Sequence, residues 1–517
     1  MQAISRPIWE GQIELKRQVM NKKAIHLVSI VPSSTQGGLA HIPWGILYVG
    51  SYLKKHNFDV FLHHIDEKKI GCVVSLISDS QPLWVGVSVL SGLTTEYAAD
   101  FSSKLKAIMN VDIVWGGVHA SLMYQQTIQQ SYVDFIIRGY GEDSTVDFAT
   151  QHFQQKDFAK IPGLVYKQNT EIIVNSSKPY EKNIDKYSID FSLINLSEYV
   201  KPDLNSEGLL SIFSSRGCPY NCSFCSTRAT TGNYWAGHSV EYLINLIQSA
   251  ETHVGNIRHI RFSDDNVMID IKRGEALIAA LFQKGKLCDS ICIRLSQLNE
   301  KILDIFKKYQ VKSLFLGFES GSDRILTLMN KKITTKEIKK KLELLKHSGI
   351  VLWLSGIVGV PTESWKEILL TINFALTLRD QIDEGVVSLF RFAPLPGTPL
   401  TELAGEEGFL LPERPEEWGI TDPSSFKYEM TWLPWITNKI NKRLFNTQQY
   451  FRSSEFYKYN VHKQLLPFRV FEFFFNQIGK FRIRHGFFWG MSAEKLIKSF
   501  VYNPVRTLNK LKKCIFK

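Results

Sequence analysis

The sequence predicts an α/β protein with two sheet-based domains followed by a mainly α-helical C-terminal segment. Three observations support this prediction. The chain has 517 residues, which is more than one hydrophobic core usually holds. Short β-branched runs alternate with amphipathic stretches over residues 24–160, and the alternation resumes from Leu209 to about Gly405. From about Thr431 onward the alternation is lost, and the sequence becomes aromatic and basic.

Residues 1–160 are predicted to form a doubly wound, Rossmann-like domain, because strands and helices alternate there. The predicted strands are Ala24–Val31, Asp59–Ile65, Trp84–Leu90, Val111–Trp115 and Asp134–Arg138. The predicted helices are Gly45–Asn57, Thr94–Met109, Met123–Gln130 and Glu142–Gln155. A ligand of such a sheet lies beyond the carboxyl ends of the strands. Small residues follow those ends, where they either turn the chain or let a ligand approach the backbone: Pro32-Ser33-Ser34, Ser91-Gly92, Gly116-Gly117 and Gly139-Tyr140-Gly141.

Residues 161–208 are predicted to be a linker that contains a small hairpin, Gly163–Lys167 with Glu171–Val174. Residues 209–411 then supply six strand–helix units, which favours a partial (β/α)6 barrel with its active site at the C-terminal strand ends. Its predicted strands are Leu209–Ser215, Ile257–Ser263, Ser290–Leu295, Val311–Glu319, Ile350–Val358 and Glu384–Arg391. Residues 412–517 are assigned to the C-terminal segment.

Composition narrows the class of protein further. The N-terminus has no apolar stretch typical of a secretory signal. The longest apolar runs, Leu83–Leu93 and Ile350–Pro361, are shorter than the roughly 20 residues of a membrane-spanning helix. Seven cysteines in so long a chain do not make a disulfide scaffold. We therefore expect a cytoplasmic protein, with peripheral contact to the inner face of the membrane as a hypothesis.

Three of the cysteines lie close together in a loop after the first strand of the second domain. The sequence Ser215-Arg216-Gly217-Cys218-Pro219-Tyr220-Asn221-Cys222-Ser223-Phe224-Cys225 has the spacing C-x3-C-x2-C. Thiolates are the preferred ligands of iron–sulfur centres, and three of them leave one iron of a cubane cluster without a protein ligand. A zinc site would require a fourth Cys or His, and the next histidine, His238, has no ligand spacing.

This loop resembles that of the radical S-adenosylmethionine (SAM) superfamily. The resemblance implies a [4Fe–4S] cluster on Cys218, Cys222 and Cys225, whose open iron chelates SAM. Reductive cleavage of SAM then yields a 5′-deoxyadenosyl radical that abstracts hydrogen from the substrate. An electron donor such as flavodoxin or ferredoxin is implied as a partner.

Later segments resemble other parts of the same superfamily and imply a SAM-binding set of four residues. Phe224 would lie against adenine, and Glu319, in Gly317-Phe318-Glu319-Ser320-Gly321, would face the ribose. Asp264, with Asp265, would hold the SAM ammonium or ribose hydroxyls, or would cap the next helix. Arg294 would pair with the SAM carboxylate or form an ion pair at its strand end. Gly356–Pro361 and Phe392–Leu400 resemble the superfamily's fifth-strand segment and the turn after its sixth strand.

The first domain resembles the cobalamin-binding domain of B12-dependent radical SAM enzymes. The resemblance rests on Ile42–Gly50, Gly86–Ser88, Val114–Ala120 and Arg138–Glu142. It implies that cobalamin binds with its base detached and without a histidine on cobalt, because Ser33–Ala40 contains no histidine. His119 is then a fold or cofactor-edge residue. The implied cobalamin-binding residues are Ser88, Ser91, Gly92, Gly116, Gly117, His119, Gly139 and Glu142.

The same resemblance implies a methyltransferase that acts on an unactivated carbon, or on phosphorus, through a 5′-deoxyadenosyl radical and methylcobalamin. Some relatives instead carry out oxidative cyclisations or ring rearrangements without methyl transfer, and no residue separates these outcomes or identifies a catalytic residue. Methylthiotransferases have three cysteines in the first domain, whereas only Cys72 lies there. The remaining Cys288, Cys292 and Cys514 are interpreted as buried small residues. A degenerate, non-enzymatic membrane- or nucleic-acid-binding protein is the alternative from another class.

The net charge of +12 is concentrated in the C-terminal segment. Residues 431–517 contain 17 lysine and arginine residues against three glutamates and no aspartate, a balance of +14, together with 20 of the 63 aromatic residues. Such a mixture either caps the barrel, lies on an anionic membrane or binds single-stranded nucleic acid; nucleic acid is the least expected partner. A small-molecule or lipid-like substrate is expected. The aromatic residues in question include Phe471, Phe473, Phe474, Phe475, Phe487, Phe488 and Trp489.

Overall fold

The computed structural model describes residues 24–33, 39, 41–154, 157–177, 179–202, 208–421, 433–447 and 477–483. Over these residues the chain forms two seven-stranded sheets and a separate two-stranded ribbon. The predicted α/β class is confirmed. No helix of the described ranges is long and apolar enough to cross a membrane. The boundaries predicted for the four segments of the chain stay predictions.

The first sheet has the strand order β2-β1-β3-β4-β5-β6-β7, and its first five strands are parallel. The strands are β1 (Ala24–Val31), β2 (Asp59–Asp66), β3 (Trp84–Ser88), β4 (Ile113–Gly116), β5 (Phe135–Ile137), β6 (Leu164–Gln168) and β7 (Glu171–Val174). The helices are α1 (Trp44–Lys55), α2 (Ile70–Ser78), α3 (Leu93–Ile108), α4 (Val118–Leu122), α5 (Tyr124–Ile128) and α6 (Glu142–Gln154).

Hydrophobic residues cover both faces of this sheet, as a doubly wound fold requires. Helices α2 and α3 pack on one face through residues such as Val74 and Phe101. Helices α1 and α6 pack on the other face through residues such as Leu53 and Phe148. The central strands are therefore buried on both sides, which explains why their sequences are continuously apolar rather than alternating.

Three elements differ from the sequence-based prediction. Helix α2 was missed because its nine residues are short and rich in β-branched side chains, although Ile70, Val74 and Ile77 share one buried face. The predicted helix Met123–Gln130 is present as the shorter helix α5, and the short helix α4 before it was not predicted. The hairpin predicted within the linker is present, but β6 pairs antiparallel with β5 and so extends the first sheet.

The second sheet has the order β16-β15-β14-β13-β12-β9-β8, of which β9 and β12–β16 form the six parallel strands of an open barrel. The strands are β8 (Lys201–Pro202), β9 (Gly208–Ile212), β12 (Ile257–Phe262), β13 (Leu287–Cys292), β14 (Ser313–Glu319), β15 (Val351–Val358) and β16 (Gly385–Arg391). The helices are α7 (Ser226–Thr231), α8 (Val240–Val254), α9 (Ile271–Gln283), α10 (Glu300–Lys308), α11 (Asp323–Leu328), α12 (Thr335–Leu344), α13 (Trp365–Gln381) and α14 (Pro399–Glu406). The predicted partial barrel is confirmed.

The predicted strand Leu209–Ser215 is divided in two by a bend. After β9 the chain leaves the sheet and forms β10 (Ser215–Gly217), which pairs antiparallel with β11 (Trp235–Gly237). At the bend, the backbone amide of Ser214 donates to the Asp264 carboxylate over 2.8 Å. This buried acceptor satisfies the amide that would otherwise continue the strand ladder, and β10 therefore carries the cysteine loop away from the sheet.

Residues 433–447 and 477–483 of the C-terminal segment pack on the barrel, whereas Trp418 packs against the first domain. Leu433, Ile436, Leu444 and Ile483 join the hydrophobic core of the barrel, and two short helical stretches cover residues 438–447 and 477–483. These parts behave as a helical cap. The aromatic residues Phe471, Phe473, Phe474, Phe475, Phe487, Phe488 and Trp489, as well as Cys514, lie outside the described residues.

Candidate functional site

The cysteine loop lies between β10 and α7 and is held from two sides. The amide of Ser223 donates to the Met329 carbonyl over 3.0 Å, and the Ser223 carbonyl accepts from the Leu400 amide over 3.0 Å. The Asn330 side chain donates to the carbonyl of Asn221 over 2.7 Å. The loop is thus attached both to the turn after α11 and to the first turn of α14, which fixes its position at the open end of the barrel.

The three thiols of the loop, Cys218, Cys222 and Cys225, are all free and partly exposed. Burial raises the pKa of Cys218 to about 11, and it also raises the pKa of Cys222. The raised pKa values favour the protonated thiols. A bound metal centre would reverse this preference, because coordination deprotonates a thiol. No three His, Cys, Asp or Glu side chains in the described ranges are arranged around a single metal ion. A cubane cluster has no such requirement, since each thiolate binds a different iron.

Basic side chains border the thiols. The Arg294 guanidinium lies 3.6 Å from the Cys222 sulfur, contacts the carbonyl oxygens of Asn330 and Lys331, and stacks 4.4 Å above the Tyr220 ring. Its Nε atom is buried without a hydrogen-bond partner in the described structure. The predicted strand-end ion pair is therefore not formed by Arg294, which instead faces the loop.

Glu319 forms a buried ion pair at the end of β14. Its carboxylate accepts from the Lys331 ammonium over 2.9 Å, and both side chains are 8% exposed. The Glu319 backbone has φ +61°, which is unusual for a residue other than glycine. The Lys331 ammonium also lies 5.9 Å from the centre of the Phe224 ring. Lys331 thus brings together three predicted SAM contacts, Glu319, Phe224 and Arg294. Lys331 itself was not predicted as a site residue.

Asp264 has a structural role that the sequence analysis did not predict. Its fully buried carboxylate accepts from the Ser214 amide and hydroxyl and, over 2.5 Å, from the Ser215 hydroxyl. It neither caps the next helix nor faces open space, so the geometry gives no support to its predicted contact with SAM. The neighbouring Asp265 is the exposed carboxylate, which accepts from the Thr227 hydroxyl over 3.2 Å.

A cavity of about 920 Å³ extends from Gly217 and Ser226, the residues that flank the cysteine loop, into the first domain. Its wall on the second-domain side includes Gly217, Thr227 and Asp265. On the other side it follows the carboxyl ends of β1, β3, β4 and β5 and continues beneath α1. Six of the predicted cobalamin contacts line it, namely Ser88, Ser91, Gly116, Gly117, Gly139 and Glu142.

Glycines keep this cavity open. At Gly45 and Gly116 the nearest heavy atoms to an added Cβ would be 3.6 and 3.7 Å away, so the local space is empty rather than filled by protein. Gly117 has φ +91°, and a Cβ there would lie 2.7 Å from the Val89 carbonyl oxygen. The glycine at that position is therefore required by close backbone packing as well as by conformation.

Two family models match the parts of the chain that meet at this cavity. A model described as the B12 binding domain matches residues 35–149, and a model of the radical SAM superfamily matches residues 212–375. The chain therefore contains a B12-binding domain followed by a radical SAM domain. In this enzyme one cavity lies between the B12-binding domain and the residues Gly217 and Ser226 that flank the cysteine loop.

Relatives of this radical SAM enzyme differ in activity. An uncharacterized methyltransferase, PH0819, of Pyrococcus horikoshii is 28% identical over 74% of this chain and 82% of its own length. The anaerobic magnesium-protoporphyrin IX monomethyl ester cyclase of Cereibacter sphaeroides is 23% identical over 69% of this chain, which spans only 58% of that protein. The solved structure of the cobalamin-dependent SAM radical enzyme OxsB, with aqua-cobalamin and SAM bound, has a TM-score of 0.66 and 18% identity, covering 96% of this chain and 75% of that one.

His119 and Gly92 are the two predicted cobalamin contacts that do not line the cavity of this enzyme. His119 is fully buried, with its Nδ1 atom 3.2 Å from the Ser91 hydroxyl and its ring edge-on to Trp418. Gly92 precedes helix α3 with φ +106°. His119 therefore contacts Ser91, a residue of the cavity wall, without lining the cavity itself. This position is compatible with a fold or cofactor-edge role.

Histidines, aromatic residues and one arginine on the cavity wall were missed as functional candidates by the sequence analysis. His41, His64, Trp44, Tyr48 and Arg216 all line the cavity. The Nδ1 atom of His64 lies 3.1 Å from the Tyr199 hydroxyl, and burial lowers the pKa of His64 to about 4. Trp44 and Tyr48 lie within Ile42–Gly50, a segment that supports the cobalamin resemblance. Sequence spacing gave no signal for His41, His64 and Arg216, which converge from separate elements.

Acid is expected to destabilise this enzyme through its buried histidines. Burial lowers the pKa of His119 to about 3, far below the unfolded value of about 6.5. Such a group favours folding fully above pH 6.5 and loses that contribution as the pH falls from 6.5 toward the folded pKa, because the unfolded state then binds more protons. The melting temperature should therefore be lower at pH 5 than at pH 7.

The His119→Asn variant should show a smaller difference in melting temperature between pH 5 and pH 7. The exposed His347 provides a matched control, and His347→Asn should keep the wild-type difference. An unchanged difference in His119→Asn would contradict the assignment of this acid sensitivity to His119.

Proposed function

We propose that this enzyme is a cobalamin-dependent radical SAM methyltransferase that acts on an unactivated carbon or on phosphorus. The observation that carries the proposal is one cavity between the glycine-rich strand ends of the B12-binding domain and the two residues that flank the cysteine loop, Gly217 and Ser226. Both cofactors could then face the same space. The methyltransferase assignment is supported by the relative PH0819, which is named as a methyltransferase and aligns over most of both chains.

The donor chemistry of the chain fits the three cofactors. Cys218, Cys222 and Cys225 would hold the [4Fe–4S] cluster, with SAM on the iron that lacks a cysteine. Cluster-bound SAM supplies a 5′-deoxyadenosyl radical by reductive cleavage, and cobalamin supplies a carrier for a methyl group. An electron donor of the flavodoxin or ferredoxin class is part of the proposal.

The residues of the chain have distinct tasks in this proposal. Lys331 would hold the Glu319 carboxylate in place beside the SAM site. Arg294 would provide a positive charge next to Cys222, favouring the thiolate. The apolar wall of the cavity would exclude water from the radical, which otherwise reacts with unintended partners.

The product balance tests the proposal. The enzyme is purified and reconstituted anaerobically with iron, sulfide and hydroxocobalamin, and is then incubated with SAM and a reductant. A methyltransferase should form S-adenosylhomocysteine in proportion to its bound hydroxocobalamin, even before the substrate is identified. Without hydroxocobalamin, this product should be absent. S-adenosylhomocysteine formation that does not depend on the corrinoid would contradict the proposal.

An oxidative cyclisation is the second candidate, favoured by the likeness to the magnesium-protoporphyrin cyclase. A cyclase should release 5′-deoxyadenosine without a matching amount of S-adenosylhomocysteine. Measuring both products in the same reaction therefore separates the two candidates. Cytoplasmic location, a lipid-like or other small-molecule substrate and membrane contact through the C-terminal segment stay hypotheses beside this proposal.

Replacing Gly45 by leucine should weaken cobalamin binding while leaving the fold intact. Gly45 is the second residue of α1 and lines the cavity, and its Cβ position has no neighbour closer than 3.6 Å. A leucine side chain would therefore occupy cavity space rather than clash with the protein. We expect hydroxocobalamin affinity, measured by equilibrium dialysis, to fall by about tenfold or more, because a buried obstruction of this size costs at least about 1.4 kcal/mol.

Gly71 provides a matched control for this substitution. It is likewise the second residue of a helix, α2, and an added Cβ would meet nothing within 4 Å. Gly71→Leu should bind hydroxocobalamin like the wild type. Equal affinity in Gly45→Leu and Gly71→Leu would show that the cofactor does not use the space beneath α1.

A further inference from the structure

A buried ion pair joins the two domains at the cavity wall. The Arg216 guanidinium lies 2.7 Å from one carboxylate oxygen of Glu142, and their side chains are only 8% and 4% exposed. Glu142 is the first residue of α6 in the B12-binding domain, whereas Arg216 belongs to β10. Burying two opposite charges costs desolvation energy that their attraction does not always recover. Charge attraction alone therefore does not explain why an ion pair is buried at this position.

Tyrosine rings enclose the guanidinium on its remaining sides. The centres of the Tyr48, Tyr140 and Tyr187 rings lie 4.3, 5.0 and 5.3 Å from the Arg216 carbon Cζ. Cation–π contacts of this kind are strongest where water is excluded. They fix the direction of the Arg216 side chain and therefore also fix where the Glu142 carboxylate can lie.

The second carboxylate oxygen of Glu142, Oε2, lacks an interaction. It is fully buried and has no hydrogen-bond partner in the described structure. Both Glu142 and Arg216 line the cavity. An ionised buried oxygen without a donor is costly, so the position fits a ligand that brings an N–H group. The rim of a corrin ring carries primary amides, which offer N–H donors together with carbonyl acceptors.

We propose that Glu142 and Arg216 form a clamp that binds a peripheral amide of the corrinoid and couples its presence to the cysteine loop. In this clamp, Glu142 Oε2 accepts from the amide nitrogen, while the guanidinium is oriented by the tyrosines. This inference rests on the proposed function, because it requires cobalamin in the cavity. It adds Arg216, a residue of the barrel side, to the corrinoid site.

The backbone after Arg216 leaves little room to absorb a movement of the clamp. Gly217 has φ +78°, and a Cβ there would clash with the Tyr234 carbonyl. The next residue is Cys218, so only one tightly packed glycine separates the clamp from a cluster ligand. Corrinoid binding should therefore alter the environment of the cluster, and coupling of this kind is reciprocal.

Two variants and one control test the clamp. Glu142→Gln removes the acceptor charge, and the double variant Glu142→Gln/Arg216→Met removes both charges, so that no unpaired buried charge is left to unfold the protein. Asp147→Asn is the control, because Asp147 is an exposed residue of the same helix, α6, and does not line the cavity. Circular dichroism verifies the fold of each variant before binding is measured.

Hydroxocobalamin affinity of the cluster-free protein is measured by equilibrium dialysis. Both clamp variants should bind roughly ten- to hundredfold more weakly than wild type, as expected for loss of a hydrogen bond to a charged group. Asp147→Asn should bind as wild type does. In reconstituted protein, hydroxocobalamin should shift the electron paramagnetic resonance signal of the reduced cluster in wild type and not in the double variant.

The outcomes separate the clamp from the function on which it rests. If wild type fails to bind hydroxocobalamin, both the proposed function and the clamp are overturned. If wild type binds and both clamp variants bind equally well, the clamp alone is overturned. A third outcome concerns the coupling between the clamp and the cysteine loop. If the double variant binds hydroxocobalamin more weakly, but hydroxocobalamin shifts the electron paramagnetic resonance signal of the cluster equally in wild type and double variant, this coupling is overturned.

Discussion

Replacing Cys218 by alanine is expected to abolish cluster binding and SAM cleavage. The cysteine loop offers three thiols for a cluster with one open iron, and loss of one leaves two irons without a protein ligand. No other described cysteine can take over: Cys288 is buried in the barrel core, and burial raises the pKa of the half-buried Cys292 to about 12. Anaerobically reconstituted wild type should contain about four iron atoms per chain, and Cys218→Ala should contain a small fraction of that amount.

The effect on SAM cleavage should be larger than any other single change predicted for this enzyme. Without the open iron, SAM has no site at which an electron can reach it, so 5′-deoxyadenosine should fall below detection. Cys72→Ala is the matched control, since Cys72 is exposed on α2 in the other domain. Full iron content in Cys218→Ala would contradict the cluster assignment, as would loss of iron in Cys72→Ala.

Much of the fold was predictable because it depends on local sequence patterns. Strand β1 was predicted with its observed bounds, and the other parallel strands were each predicted to within a few residues. Apolar β-branched runs and amphipathic stretches report burial directly. The strand β10 was not separated from β9, because its departure depends on Asp264, a residue some fifty positions away in the sequence.

The cysteine loop was equally predictable, since all its ligands lie within one short segment. Contacts between distant elements were not predictable in this way, even where one partner, such as Glu142, was itself a predicted site residue. Arg216, Glu142 and Lys331 gain their roles from partners on distant elements, and no spacing rule connects Glu142 with Arg216. Asp264 illustrates the reverse error: its position at a strand end suggested a ligand contact, but a fully buried hydrogen-bond acceptor there serves the backbone of the neighbouring strand.

Replacing Lys331 by methionine is expected to cause the largest loss of stability. The substitution conserves much of the side-chain volume but leaves the Glu319 carboxylate, only 8% exposed, without its partner. Removing one member of a buried pair costs about 3–5 kcal/mol, mostly because the remaining charge is uncompensated. For a domain of this size, the melting temperature should fall by roughly 6–20 °C, which differential scanning calorimetry measures.

A second substitution separates this electrostatic cost from lost packing. In Lys331→Met/Glu319→Gln no buried charge remains, so most of the lost stability should return, because replacing a whole buried pair is often close to neutral. SAM affinity should nevertheless stay low in the double variant, since the proposed ribose contact of Glu319 loses its charge. If the double variant is as unstable as Lys331→Met, then the contacts of the Lys331 side chain with its surroundings, including the Phe224 ring 5.9 Å from its ammonium, contribute more than its charge.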